Sequence, residues 1–273
     1  MNAPDSAAFA TPSTVGAVSS SVAPPVEPAQ PLTVELAAKG RAAQAVLARI
    51  AVEAGPAVFT TSFGAEDMVV FDLIGEHGLP ESDALRTIAV ATLDTGRLPD
   101  ETYQVWQRAV SRYRRKVESF FPEAEAVERF VRFHGINAFY DSIAERKACC
   151  HIRKVEPLAR ALAGRRAWIT GLRRSQAASR SDLEVVARDD ERDLLKVSPL
   201  ADRSEAEVWA WIRARDVPVN ALHARGFPSI GCAPCTRAVA PGEDLRAGRW
   251  WWESADAKEC GLHTGSPLEA VVT

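Results

Sequence analysis

The chain has 273 residues, 47% hydrophobic and 25% charged, with a formal charge of −3. That is ample length and an ordinary composition for a globular protein with a buried core, and the slight acidity argues against a broad nucleic-acid footprint. No apolar run approaches the roughly 20 residues that span a bilayer. The N-terminus lacks a secretory layout and has no Lys or Arg before Lys39, so no membrane association is expected and the expected compartment is the cytoplasm.

Residues 1–31 are Ala, Pro, Ser, Thr and Val with almost no charge, and Pro24, Pro25, Pro28 and Pro31 predict a disordered tail. Thr33 is placed to cap a helix whose Leu36, Ala43, Val46, Leu47 and Ile50 share a face, ending near Gly55. Ala57–Thr61 reads as a short buried strand. It runs through Ser62-Phe63-Gly64-Ala65-Glu66-Asp67 into an apolar helix from Met68 to about Ile74. A second strand, Thr87–Leu93, stops at Asp94-Thr95-Gly96. Helical patterns follow at about 100–114, 123–132 and 137–149, with Val117–Phe121 as a third strand. Ala167–Thr170, ending at Gly171, is a fourth strand and Leu194–Val197 a fifth. Strands alternating with helices predict an α/β fold around a mainly parallel sheet. Its functional loops then lie at the C-terminal ends of the strands, where the Ser62, Asp94 and Gly171 segments fall.

The Ser62–Asp67 turn leads from a strand into a helix N-terminus, whose outward amides favour an anion such as phosphate or sulfate. Ser62 adds a hydroxyl and Gly64 permits close backbone approach; an ordinary structural turn is the alternative. Asp94-Thr95-Gly96-Arg97 reads as a ribose or adenine contact, or again a turn. Arg173, Arg174, Arg180, Arg246 and Arg249 gather in predicted loops of an acidic chain, a pattern suited to gripping oxyanions. Solvated loop charges are the plain reading of the same residues. Trp250-Trp251-Trp252 reads as packing that seats a short terminal arm.

The five cysteines are Cys149, Cys150, Cys232, Cys235 and Cys260. In a reducing compartment, two distant pairs point to one metal centre rather than to disulfides. Spacing alone leaves an iron–sulfur cluster and structural zinc both open. Lys154, four residues after Cys150, shares its helical face and can offset thiolate charge. Cys260 stands apart as a candidate nucleophile, with Lys258, His263, Arg246 and Arg249 to favour the thiolate, and a bystander cysteine in a terminal segment is the alternative. Gly261 and Gly265 would leave its segment mobile.

Over roughly residues 33–265 the chain resembles the assimilatory adenylyl-sulfate reductases, relatives of the phosphoadenylyl-sulfate reductases. The resemblance rests on Thr61–Asp67, Leu93–Arg97, Cys149–Lys154, Ile169–Arg174, Cys232–Arg237 and Lys258–His263. It implies an adenine nucleotide alpha hydrolase-like fold, with a nucleotide-binding domain over 32–240 and a C-terminal arm, 241–273, that is mobile. It also implies that Cys149, Cys150, Cys232 and Cys235 ligate a [4Fe-4S] cluster. Cys260 would attack the sulfur of adenosine 5′-phosphosulfate, releasing AMP and leaving an S-sulfocysteine that thioredoxin or a glutaredoxin-like donor resolves to sulfite. Lys154, Arg180, Arg246 and Arg249 match residues that grip the phosphosulfate. Ser62 and Gly64 match its phosphate loop, and Leu93 and Gly171 the adenosine pocket. The loop Ser175–Arg180 departs from the family pattern, lacking a Pro-Gly and one residue shorter. The alternatives are a phosphoadenylyl-sulfate reductase, which would normally lack the cysteine tetrad, an ATP-dependent adenylating enzyme of the same fold, and a zinc-binding module. A homo-oligomer is left open.

Overall fold

The apolar five-residue runs pair in parallel at the centre of one sheet, and helices cover both of its faces. The computed structural model describes residues 31–75, 82–176 and 180–254. The expected N-terminal tail, apart from Pro31, lies outside these residues. So does the terminal segment from 255 on, including Lys258, Cys260, Gly261, His263 and Gly265. The strands are β1 (Ala57–Thr61), β2 (Ala89–Leu93), β3 (Glu118–Phe120), β4 (Ala167–Ile169), β5 (Val186–Asp189) and β6 (Leu194–Val197). They lie in the order β3-β2-β1-β4-β6-β5. All pairings are parallel except β5 with β6. Strand order therefore reverses between β1 and β4, which opens a crevice beyond their C-terminal ends.

Thr33 caps α1 (Val34–Glu53), its hydroxyl accepting from Leu36 N at 3.2 Å. Leu36, Ala43, Leu47 and Ile50 are buried, as their shared face requires. Next come α2 (Ala65–Gly75), α3 (Ser82–Arg86), α4 (Asp100–Tyr113) and α5 (Ala124–His134), followed by α6 (Ile143–Cys150), α7 (Glu156–Leu162) and α8 (Glu205–Arg215). Successive side chains of β1 alternate faces. Phe59 joins the core under α1, α2 and α8, while Val58 packs with Trp168, Leu158 and Leu162 on the other side. Buried Asp72 ties that first layer together. It accepts from Tyr113 Oη at 3.0 Å, Trp211 Nε1 at 2.9 Å and Arg215 Nε at 2.6 Å.

One expectation changes, and two elements appear for which there was none. The helix at 137–149 is two pieces, a 3-10 turn at Ala138–Tyr140 and then α6. Ser142 starts the second piece by accepting from Glu145 N at 3.1 Å, a cap that a continuous helix would not accommodate. β5 was not anticipated, because its charged, half-buried edge carries no alternating pattern. Neither was α8, whose Ser204 and Glu207 form a reciprocal capping box.

Candidate active site

One acid ties together the two edges of the crevice between β1 and β4. Asp67, in the first turn of α2, accepts from Ser62 N at 2.6 Å and Ser62 Oγ at 2.8 Å, and also from the Gly171 backbone. It thus joins the loop after β1 to the loop after β4. A side chain at Gly171 would lie 2.3 Å from Asp67 Oδ1, so the two loops approach this closely only because residue 171 lacks one. Burial pushes the Asp67 carboxyl up to about 6 against the lowering effect of the Ser62 and Gly171 donors.

Beyond this clamp lies a cavity of about 260 Å³. Ser62, Gly64, Leu93, Lys154, Gly171, Arg180, Arg246 and Arg249 all line it. They come from the ends of β1, β2 and β4, the helix after Cys150, and the segments around 180 and 246–249. Four cationic side chains thus share a wall with four threonines at strand ends, Thr60, Thr61, Thr92 and Thr170. Trp168 closes one side, its Nε1 donating to Thr60 Oγ1 at 2.7 Å. Such a surface suits a polar ligand with a flat ring and a polyanionic end.

The four described cysteines are buried and free of disulfides. They form a small apolar cluster with Phe130, Phe139 and Trp250. Cys149 and Cys150 end α6, where the helix widens into a π turn at His151–Val155. Cys232 and Cys235 flank a one-turn 3-10 segment. All four line a second, smaller hollow with Arg97, Arg146, Arg153, Lys154 and Trp250. Lys154, Cys232 and Trp250 border both cavities and form the partition between them. Burial raises the Cys149 thiol, and it pushes Cys235 up to about 11 with the help of neighbouring Cys232. At Cys232 burial also acts upward, but the Lys154 charge, the Thr95 hydroxyl at 3.3 Å and Arg249 outweigh it and lower the thiol. Among the described residues no three His, Cys, Asp or Glu side chains are placed to hold a single metal ion. Tetrahedral zinc needs sulfurs about 3.8 Å apart. Trp250, whose buried Nε1 has no partner among the described residues, is one of the walls of this hollow. Four buried, disulfide-free thiols lining one hollow are a donor set of the kind an iron–sulfur cluster accepts.

The family model described as the phosphoadenosine phosphosulfate reductase domain matches residues 56–238, about two thirds of the chain and all of the sheet. The chain belongs to this reductase family. It is 52% identical over 241 residues to the adenosine 5′-phosphosulfate reductase of Burkholderia cepacia, covering 88% of this chain and 94% of that one. Identity is 50% over 222 residues to the enzyme of the same name from Allochromatium vinosum, covering 81% and 84%. Among solved structures it is similar to phosphoadenylyl-sulfate reductase of Candida auris in a phosphate complex. There the TM-score is 0.59 and identity 27%, over 77% of this chain and all of that one. The chain is, like these relatives, an oxidoreductase acting on sulfur.

Within this reductase fold, not every expected contact holds. Arg173 does not reach the cavity. It is buried and committed to Glu66, Ser175 and the Arg203 carbonyl. Arg97 turns away as well, over the Phe139 ring and onto the Ile136 carbonyl. Arg180 lines the cavity with its Nη1 donating to Gln176 Oε1 at 2.6 Å, while residues 177–179 of that loop lie outside the described set. Asp94 accepts from Gly96 N and Tyr103 Oη, which makes it the organiser of its own turn. Sequence reasoning missed Asp67 as the clamp and Arg146 beside the cysteines. The former sits in a quoted motif, and the latter stands four residues before Cys150 on one helical face. Among the described residues no helix is long and apolar enough to cross a membrane.

Proposed function

We propose that the reduction of adenosine 5′-phosphosulfate, the activity its close relatives carry in their names, runs in this chain through a covalent sulfur adduct on Cys260. The observation that carries this reading is the partition. Lys154, Cys232 and Trp250 belong both to a cation-lined cavity at the switch point and to the hollow where four cysteines meet. In this reading four thiols serve a metal centre and the fifth, Cys260, is left for chemistry.

The adenosine end lies against Leu93 and Gly171, and the phosphate over the Ser62–Gly64 turn at the start of α2. Lys154, Arg246, Arg249 and Arg180 face the sulfate and offset the repulsion between it and an approaching thiolate. The Cys260 thiolate attacks the sulfate sulfur. The bond from sulfur to the bridging phosphate oxygen breaks, its electron pair leaves with AMP, and an S-sulfocysteine remains. A thiolate of a dithiol donor of the thioredoxin or glutaredoxin class then attacks Cys260 Sγ, expelling sulfite. The donor's second thiol releases Cys260, so the donor supplies both electrons and ends as a disulfide. Cys149, Cys150, Cys232 and Cys235 would hold a [4Fe-4S] cluster, which in this scheme supplies a fixed charge near Lys154 rather than electrons. A cytoplasmic setting suits a reaction driven by reduced thiols.

Cys260→Ser should abolish sulfite release while iron content, visible absorbance and AMP binding persist. Sulfite release by that variant would refute the assignment. Faster turnover on the 3′-phosphorylated substrate would favour the phosphoadenylyl-sulfate reading instead.

A further inference from the structure

The chain leading toward Cys260 runs back along the Cys232–Cys235 loop. Arg237 N donates to Gly248 O at 3.0 Å and Trp250 N to Cys235 O at 3.2 Å, and Thr236 and Arg249 form an antiparallel bridge. At the end of this run a side-chain pair joins it to α6. Arg146 Nε donates to Glu253 Oε1 at 2.9 Å and Nη2 to Oε2 at 2.7 Å. The two side chains are 0% and 3% exposed. The Arg146 guanidinium also hydrogen-bonds the Cys150 sulfur and lies 4.6 Å from the centre of the Trp250 ring. One side chain therefore touches a cysteine of the cradle, the partition between the cavities, and an acid seven positions before Cys260.

A hydrophobic pair of similar volume would hold helix and arm together at least as well, because burying two charges is costly. What the ion pair adds is direction: a two-bonded fork fixes the position and orientation of the carboxylate. We propose that Arg146 and Glu253 are positioning residues for the covalent step, a fork that fixes the point and direction from which the segment bearing Cys260 leaves the described fold. The proposal rests on the reading of Cys260 as the nucleophile. From Glu253 the thiol can reach at most about 25 Å. If the fork opens, the tether starts at Trp250 and lengthens from seven to ten residues. Chain statistics alone then lower the local thiol concentration only about 1.7-fold. A substantially larger loss therefore reports lost aim rather than lost reach.

The test uses the full-length, iron-loaded enzyme and its Glu253→Gln and Glu253→Asp variants. Three quantities are measured: the single-turnover rate of Cys260 adduct formation at saturating adenosine 5′-phosphosulfate, the affinity for AMP, and iron content with absorbance. The Gln variant should form the adduct on the order of tenfold more slowly. Its AMP affinity should stay within about twofold and its iron should be retained. The Asp variant, which keeps the charge, should recover part of the rate. A Gln variant with the wild-type rate overturns the proposal. A rate loss that merely tracks lost iron overturns it too, assigning the pair to the metal site alone. Wild-type enzyme that never forms the Cys260 adduct refutes the underlying reading, and the proposal with it.

Discussion

Replacing Gly171 by Ala strikes the site where two loops come closest. The new Cβ would lie 2.3 Å from Asp67 Oδ1 and 3.0 Å from Asp67 N, where ordinary contact begins at 3.4 Å. The carboxylate must give way by more than 1 Å. It cannot do so freely, because its other oxygen is held by Ser62 N at 2.6 Å and Ser62 Oγ at 2.8 Å. Overpacking of this kind costs about 1–3 kcal/mol, and a displacement near 1 Å at a binding loop is worth up to about a hundredfold. Calorimetric titration with AMP should show affinity falling by about 10- to 100-fold, or about 1.4–2.8 kcal/mol. Asp67→Ala removes the obstructing carboxylate and leaves only the backbone approach, 3.0 Å to the N of residue 67, so in that background the glycine substitution should cost less. The cycle should then report a coupling of at least about 1 kcal/mol. Additive effects, or a Gly171→Ala variant that binds AMP like wild type, would refute the clamp.

Asp67 also gives stability a pH dependence of defined sign. Its carboxyl is raised from 3.8 to about 6, so its contribution is full below 3.8 and is lost as pH rises through 6, about 3 kcal/mol in all. Urea unfolding of wild type minus Asp67→Asn should show that slope, and parallel curves would contradict it. Lys154→Met removes a cation that borders both cavities. It should raise KM for adenosine 5′-phosphosulfate by about 10- to 100-fold, the worth of a charge-assisted contact, and alter the visible spectrum. Unchanged kinetics would remove Lys154 from the site.

Much of this arrangement is written in local pattern. β1, β2 and β4 are apolar runs that end at Ser62, Asp94 and Gly171, so periodicity alone sets the crevice at their C-terminal ends. The residues the resemblance assigned to substrate line one cavity because each follows a strand end or belongs to the segments carrying the cysteines. Partner choice was not legible. Arg173 and Arg249 look alike in sequence. The first is neutralised by Glu66, whereas the second stacks 4.7 Å from the Trp250 ring centre on the cavity wall. Arg146 and Glu253 are separated by more than a hundred residues, and nothing local announces a pair that only the tertiary fold creates. β5 escaped because an edge strand with one solvated face needs no apolar run.

The central claim is that one sulfur is reserved for substrate while four serve the metal. Anaerobic incubation of the iron-loaded enzyme with adenosine 5′-phosphosulfate carrying labelled sulfur, without a thiol donor, tests it directly. Peptide mass analysis should place the label on the Cys260 peptide in stoichiometric yield, with AMP released and the peptides of Cys149, Cys150, Cys232 and Cys235 unlabelled. Label on any of those four, or AMP release with none on Cys260, would contradict the account.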